Sequence, residues 1–292
     1  MKINNIILAV TISTIIAGNN YYNSSNQGIV YKQSSSIASK QIAITPAYIP
    51  EFNSNVANYY HKQMDQSEYI GEFSPAIKNY FGDNDIRYNF CGEMVLLNTL
   101  DIITEQKTGN ISGLSVKDLV NKYFVDKNGN IATIYQSKGY AFRTKSGDMS
   151  PTSIYRIAEK IGNDTNLWQM DLIYGTNDFT STKPLQKTGL ESIVNEIKKS
   201  VFDNDGILIM HVGIQANDKF SYFHYITVLD LKINNNGSVD MLIVDSMGTD
   251  YGGYYGWVNS EEYTTPLRPD NIKYSNDIYT GIYNIYGIIP TK

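Results

Sequence analysis

Cys91 is the only cysteine among 292 residues, and its position is what makes it chemically interesting. It opens the run Cys91-Gly92-Glu93-Met94-Val95-Leu96-Leu97-Asn98-Thr99-Leu100. In that run Leu96, Leu100 and Ile103 recur at helical spacing, and Val95 and Leu97 widen the apolar stripe. Lys107 and Gly109 supply an ordinary helix end. The sulfur therefore sits at the amino end of a predicted core-facing helix. There the unpaired N–H groups and the positive dipole end favour thiolate over thiol. Glu93 in the first turn suits the dipole, but a carboxylate close to the sulfur opposes the same ionisation. A lone cysteine is by default a small buried hydrophobe, so the case for a nucleophile rests on what can reach it.

Two residues farther along the chain could do so. His224 lies early in the predicted strand Phe220 to Ile233, and Asp245 ends the next, Val239 to Asp245. Between them Asn234-Asn235-Asn236-Gly237 reads as a turn of four residues. A loop of even length sets Ile226 opposite Asp245 and places His224 one diagonal step away on the same face. Diagonal Cβ atoms lie about 7–8 Å apart, within reach of an imidazole–carboxylate bond. An odd loop turns the two residues to opposite faces. An acid in that place fixes the histidine tautomer, as the third member of a nucleophile–base–orienter set. His211, in Gly206 to Gly213, is the rival base but ends its strand with no evident acid partner. His61 falls in an early helical segment and is expected to be solvated. Asp245 has a plainer reading as a turn-capping residue.

The order cysteine on a helix start, histidine opening a strand, acid on the neighbouring strand resembles the C39-like peptidases of the papain-like superfamily. The matching pieces are Cys91-Gly92, His224-Tyr225-Ile226-Thr227-Val228 with Asp230, and Val244-Asp245-Ser246-Met247-Gly248, followed by Trp257 to Tyr263. The resemblance implies a papain-like cysteine peptidase fold, a helical half packed against an antiparallel sheet. It implies Cys91 as nucleophile, His224 as general base then acid, and Asp245 as its orienter. It also implies an oxyanion-hole amide upstream of the cysteine. Asn84 is the first choice, with the Cys91 backbone N–H as second donor. Asn89 competes, with an alternative role as helix N-cap.

The elements that must position these residues follow from periodicity. Met1-Lys2 and the apolar run Ile6 to Ala17 read as a signal peptide over 1–18. Residues 19–50, rich in Asn, Ser, Gln and Tyr, read as a low-complexity linker or pro-segment. Residues 51–292 suit one catalytic domain with its own core. Helices are predicted over Asn53 to Gln66, from Cys91, after a Ser115–Asp118 capping box, from Ser150-Pro151 to a stop at Gly162, and after a Thr188–Glu191 capping box. Strands follow at Gly206 to Gly213, Phe220 to Ile233, Val239 to Asp245 and Ile278 to Ile289. Helices first and an antiparallel sheet afterwards make an α+β domain.

Composition narrows the partners. A formal net charge of -5 argues against a nucleic-acid backbone as the main ligand. No cofactor or metal is indicated, since His61, His211 and His224 have no ligand spacing with Cys91. Asp126-Lys127-Asn128-Gly129-Asn130 has its glycine too early for an EF-hand and reads as a turn. The expected partner is a peptide or protein substrate, with no membrane span left once the signal is removed and a secreted or periplasmic location. Three functions stay open. One is a cysteine peptidase working through an acyl-enzyme. Another is acyl transfer or deamidation of the transglutaminase type at the same site. The last is a silent module binding peptide or glycan through Tyr251, Tyr254, Tyr255 and Trp257.

Overall fold

A computed structural model describes residues 53–69, 71–81, 87, 90–130, 149–175, 185, 187–217, 220–235, 239–247, 253–259 and 278–292. The expected signal peptide at 1–18 and linker at 19–50 lie outside the described residues, as do Asn84, Asn89 and Tyr251. The chain is α+β, built on a six-stranded antiparallel sheet.

The helices are α1 (Asn53–Tyr59), α2 (Pro75–Phe81), α3 (Cys91–Thr108), α4 (Val116–Tyr123), α5 (Pro151–Thr165) and α6 (Lys187–Ser200). The strands are β1 (Trp168–Tyr174), β2 (Ile207–Asn217), β3 (Phe220–Ile233), β4 (Val239–Asp245), β5 (Tyr254–Asn259) and β6 (Ile278–Pro290). Across the sheet they run β1-β6-β2-β3-β4-β5. Alternation along the strands divides the core into two layers. Ile207, Ile209, Tyr225, Leu242 and Tyr286 pack with α3, α4 and α5, whereas Leu208, Met210, Ile226, Val228 and Ile243 pack with Leu190, Val194 and Ile197 of α6. Helices thus cover both faces of the sheet rather than one, because β2, β3 and β4 are apolar on both sides.

Local signals explain most helix ends. Ser115 and Asp118 form the expected reciprocal capping box on α4, and Ser150 caps α5 with Pro151 in its first turn. Gly109 closes α3 with φ of 76°. Three expectations are corrected. The early helix stops at Tyr59 and is followed by an irregular strap and a 3-10 turn at Gln66–Tyr69. Helix α6 is already running at Lys187, so Thr188 lies inside its first turn and not at the cap. Gly162 does not end α5, which continues to Thr165 and is capped by Asn166 in the left-handed region. The glycine is there for a different reason: a Cβ at 162 would stand 2.6 Å from the Trp168 carbonyl oxygen and 2.8 Å from its ring.

The most consequential correction concerns the turn between β3 and β4. It spans 234–238, five residues and not four, since Ile233 pairs with Val239. An odd loop alone would put His224 and Asp245 on opposite faces. The ladder, however, shifts register between Val228 and Asp230: Asp230 pairs with Leu242, but Val228 pairs with Ile243 and Thr227 with Val244. Leu229 is thus an extra residue on β3, a bulge. It reverses the parity and restores the register in which Ile226 falls opposite Asp245.

Substituting Gly162 by Ala is expected to destabilise the fold by ~1–3 kcal/mol, the usual cost of overpacking. The check is the urea midpoint at unchanged m-value. A neutral result would mean that α5 and β1 are not in close contact there.

Candidate functional site

Three elements converge on the candidate site: the amino end of α3, the middle of β3 and the end of β4. Helix α3 is unusual in that every residue from Cys91 to Ile103 is buried, including Glu93, Asn98, Thr99 and Asp101. Its N-cap is Phe90, which makes no side-chain cap bond. Phe90 offers the first N–H groups no side-chain acceptor of the kind that Ser115 and Ser150 give to α4 and α5. Behind the sulfur, a Cβ at Gly92 would lie 2.9 Å from Met149 Cβ and 3.1 Å from Ile154 Cδ1. Position 92 is thus limited to glycine by the approach of α5 and its leading residue.

His224 and Asp245 share a face because of the Leu229 bulge, and they are bonded. His224 Nε2 donates to Asp245 Oδ1 over 2.8 Å, and both side chains are buried. Asp245 Oδ1 also accepts the backbone N–H of Met247 at 2.7 Å, which orients the carboxylate. Its Oδ2 is buried with no hydrogen-bond partner. The Cys91 side chain lies close enough to the His224 imidazole to raise its pKa. With Nε2 engaged by the acid, Nδ1 is the ring nitrogen left for the sulfur. Burial works against the charged imidazolium of His224, but the charge and hydrogen bond of Asp245 and then those of Cys91 outweigh it, raising the pKa to about 10. Cys91 is only 3% exposed; it is buried, yet beside residue 224.

The other two histidines are buried as well, in different settings. His211 Nδ1 donates to Asn284 Oδ1 at 3.2 Å, and its ring stacks on Tyr225 with centroids 4.5 Å apart. Burial drives its pKa down; the Asn284 bond opposes this, the charge of His224 adds to it, and the value falls to about 3. His211 is neutral at any ordinary pH, and its ring is bonded to an amide and not to Asp245.

His61, expected to be solvated, is buried between two carboxylates. Its Nδ1 donates to Glu68 Oε2 at 2.6 Å and its Nε2 to Asp101 Oδ2 at 2.7 Å. Desolvation alone would lower its pKa, but the hydrogen bonds of Asp101 and Glu68, and then their charges, raise it to about 9. The backbone N–H of His61 also donates to Asn98 Oδ1 at 2.6 Å, and the Tyr59 hydroxyl donates to Glu105 Oε2 at 2.7 Å. Asn98, Asp101 and Glu105 lie one helical turn apart in succession on α3. This polar stripe is the signal in the sequence that a segment docks there.

The strap then reaches the site itself. The Gln63 N–H donates to the Ser246 carbonyl at 2.7 Å, Ser246 Oγ donates to Gln63 Oε1 at 3.3 Å, and Gln63 Nε2 donates to the Arg87 carbonyl at 2.6 Å. Asp126 folds into a local turn, accepting the N–H groups of Asn128 and Asn130 at 2.8 and 3.0 Å. Among the described residues no group of three His, Cys, Asp or Glu is placed to hold a metal ion, and no helix is long and apolar enough to cross a membrane. No protein-family model matches the chain, and no curated protein matches it.

Because the pKa of His61 in the fold lies above its ordinary value of 6.5, its contribution to stability is complete below about pH 6.5 and is lost as pH rises through about 9. Replacing His61 by Gln is expected to cost on the order of 3 kcal/mol at pH 6. That difference from wild type should narrow steadily towards pH 9–10. Denaturant titrations at a series of pH values check it; a difference independent of pH would mean that the imidazole is not charged in the fold.

Proposed function

We propose that the chain is an exported cysteine peptidase, with a papain-like catalytic domain over 51–292, that cleaves peptide bonds through an acyl-enzyme on Cys91. The observation that carries this reading is the hydrogen-bonded His224–Asp245 pair with the Cys91 side chain close to the same imidazole. The sulfur at the start of α3 facing an antiparallel sheet supports the papain-like arrangement. The basic start and apolar run of residues 1–18 support export.

In this mechanism His224, with its raised pKa, already holds the proton on Nδ1, and the sulfur attacks the substrate carbonyl carbon as thiolate, forming a C–S bond and an oxyanion. The Cys91 N–H, which has no intrahelical acceptor, is one donor to that oxyanion; Asn84 is the proposed second. Collapse breaks the C–N bond, and the leaving amine takes the proton from Nδ1. Water then attacks the thioester, giving its proton to the same nitrogen. Thiolate leaves, the carboxylic acid is released, and Nδ1 keeps the proton for the next turnover. Throughout, Asp245 holds the ring by Nε2–H, so that Nδ1 stays aimed at the sulfur.

Incubation of the full chain with unfolded protein substrates is expected to generate new amine termini. Cys91→Ala and His224→Ala should each lower the rate on the order of a thousandfold or more. Ammonia release without new termini would move the site to deamidation. Retained cleavage in Cys91→Ala would end both readings.

The pH profile provides a second check. The His224 limb in the alkylation of Cys91 by iodoacetamide is expected near pH 10. Asp245→Asn removes a charge that raises the imidazole pKa, so the limb should move down towards neutrality. A limb that stays in place would remove Asp245 from its assigned role.

A further inference from the structure

The strap between α1 and the 3-10 turn contains a fully buried glutamine with no part in the reaction just described. Gln63 is 0% exposed, and it is bonded on three sides. Its backbone N–H and its Oε1 both engage Ser246, the residue directly after Asp245, at 2.7 and 3.3 Å. Its Nε2 donates to the Arg87 carbonyl at 2.6 Å. The same carbonyl accepts the N–H of Phe90 at 3.4 Å, and Phe90 is the residue directly before Cys91. The Gln63 carbonyl accepts the Tyr69 hydroxyl at 2.9 Å. Two residues earlier the strap is fixed to α3 itself, through His61 to Asp101 at 2.7 Å and to Asn98 at 2.6 Å.

One side chain therefore ties the chain entering the cysteine helix to the chain leaving the acid strand. These two segments carry the two ends of the sulfur–imidazole–carboxylate series, and nothing in the order of the sequence makes them neighbours. We propose that Gln63 is a positioning residue that sets the separation of the Cys91 helix start from the Asp245 strand end, so that His224 can bond both at once. It acts through Ser246 and Arg87 and never touches the reacting atoms. The inference rests on the reading of Cys91, His224 and Asp245 as a working site. A small misplacement of a nucleophile relative to its base is enough to cost on the order of tenfold to a hundredfold in rate.

The test is the pH-dependence of Cys91 alkylation by iodoacetamide in the full chain, followed by mass spectrometry, alongside the thermal midpoint. Gln63→Met keeps the volume of the side chain and removes both of its hydrogen bonds. It is expected to lower the alkylation rate at neutral pH on the order of tenfold and to shift the His224-dependent limb towards neutrality. Ser246→Ala removes only the Oγ–Oε1 bond and leaves the backbone bond. It should move rate and limb in the same direction by less, and it carries the test if Gln63→Met does not fold. Gln63→Glu keeps the Oε1 acceptor, and part of the lost rate should return at pH values low enough to protonate the new carboxyl. A folded Gln63→Met, or a Ser246→Ala, with wild-type rate and limb overturns the proposal. His224→Ala separates the two failures. A wild-type limb that survives in His224→Ala removes the site reading itself. A limb that is lost with His224 but indifferent to Gln63 and Ser246 removes this inference alone.

Discussion

The bond from His224 Nε2 to Asp245 Oδ1 depends on a count of residues. Between them the chain passes through a turn of odd length, and in an uninterrupted ladder that length would send the two side chains to opposite faces. The extra residue at Leu229 changes the count by one, after which Thr227 and Val244 are partners and the acid falls opposite Ile226. A bulge is a local defect with a cost in ladder bonding, and it twists the strand that carries it. It also keeps the two apolar layers intact. Val228 stays with the α6 layer, while Leu229 is added to the α3 layer. The sheet can thus remain apolar on both faces while presenting a histidine and an acid to each other.

Burial decides what each histidine does. All three are nearly inaccessible, so each pays the same kind of desolvation penalty on its charged form. They differ in what compensates it. His211 is given an amide oxygen and aromatic rings and is held neutral, with its pKa near 3. His61 receives two carboxylates and becomes a permanent cation at neutral pH, a structural rivet between strap and helix. His224 receives one carboxylate and a thiol, and its raised pKa depends in part on the partner that a reaction would change. Of the three, only His224 lies beside a thiol.

What the sequence makes legible follows from which interactions are periodic. The bounds of β3 and β4 can be read from alternation alone, and the apolar stripe of α3 from Leu96, Leu100 and Ile103. The residues that could carry the chemistry are singled out by their rarity and by where they fall on those elements. The bulge could not be read, because Leu229 is as apolar as its neighbours and no glycine marks it. The strap was missed for a related reason. Its segment has no apolar period of its own and is held by polar groups on α3 that a search for an apolar stripe passes over. Strands β1 and β5 are short and carry Gln169, Asp171 and Gly256, which break the pattern that betrays the central strands. Gly162 was misread because a stop signal and a close approach use the same residue for unrelated reasons.

Local rules hold well over most of this chain, with serine caps on α4 and α5, a left-handed glycine after α3 and apolar strands at the centre of the sheet. They give way in one neighbourhood. The helix that begins with the lone cysteine has Phe90 where an acceptor belongs, a buried glutamate in its first turn, and an acid nearby with one buried oxygen unpaired. The bulge is on the strand between them. Each of these departures lowers stability by itself, and a core selected only for stability would shed them independently. Their concentration around sulfur, imidazole and carboxylate is what a site kept for its chemistry predicts. The strap bearing His61 and Gln63 joins helix start and strand end from outside the sheet, through Asn98, Asp101, Arg87 and Ser246.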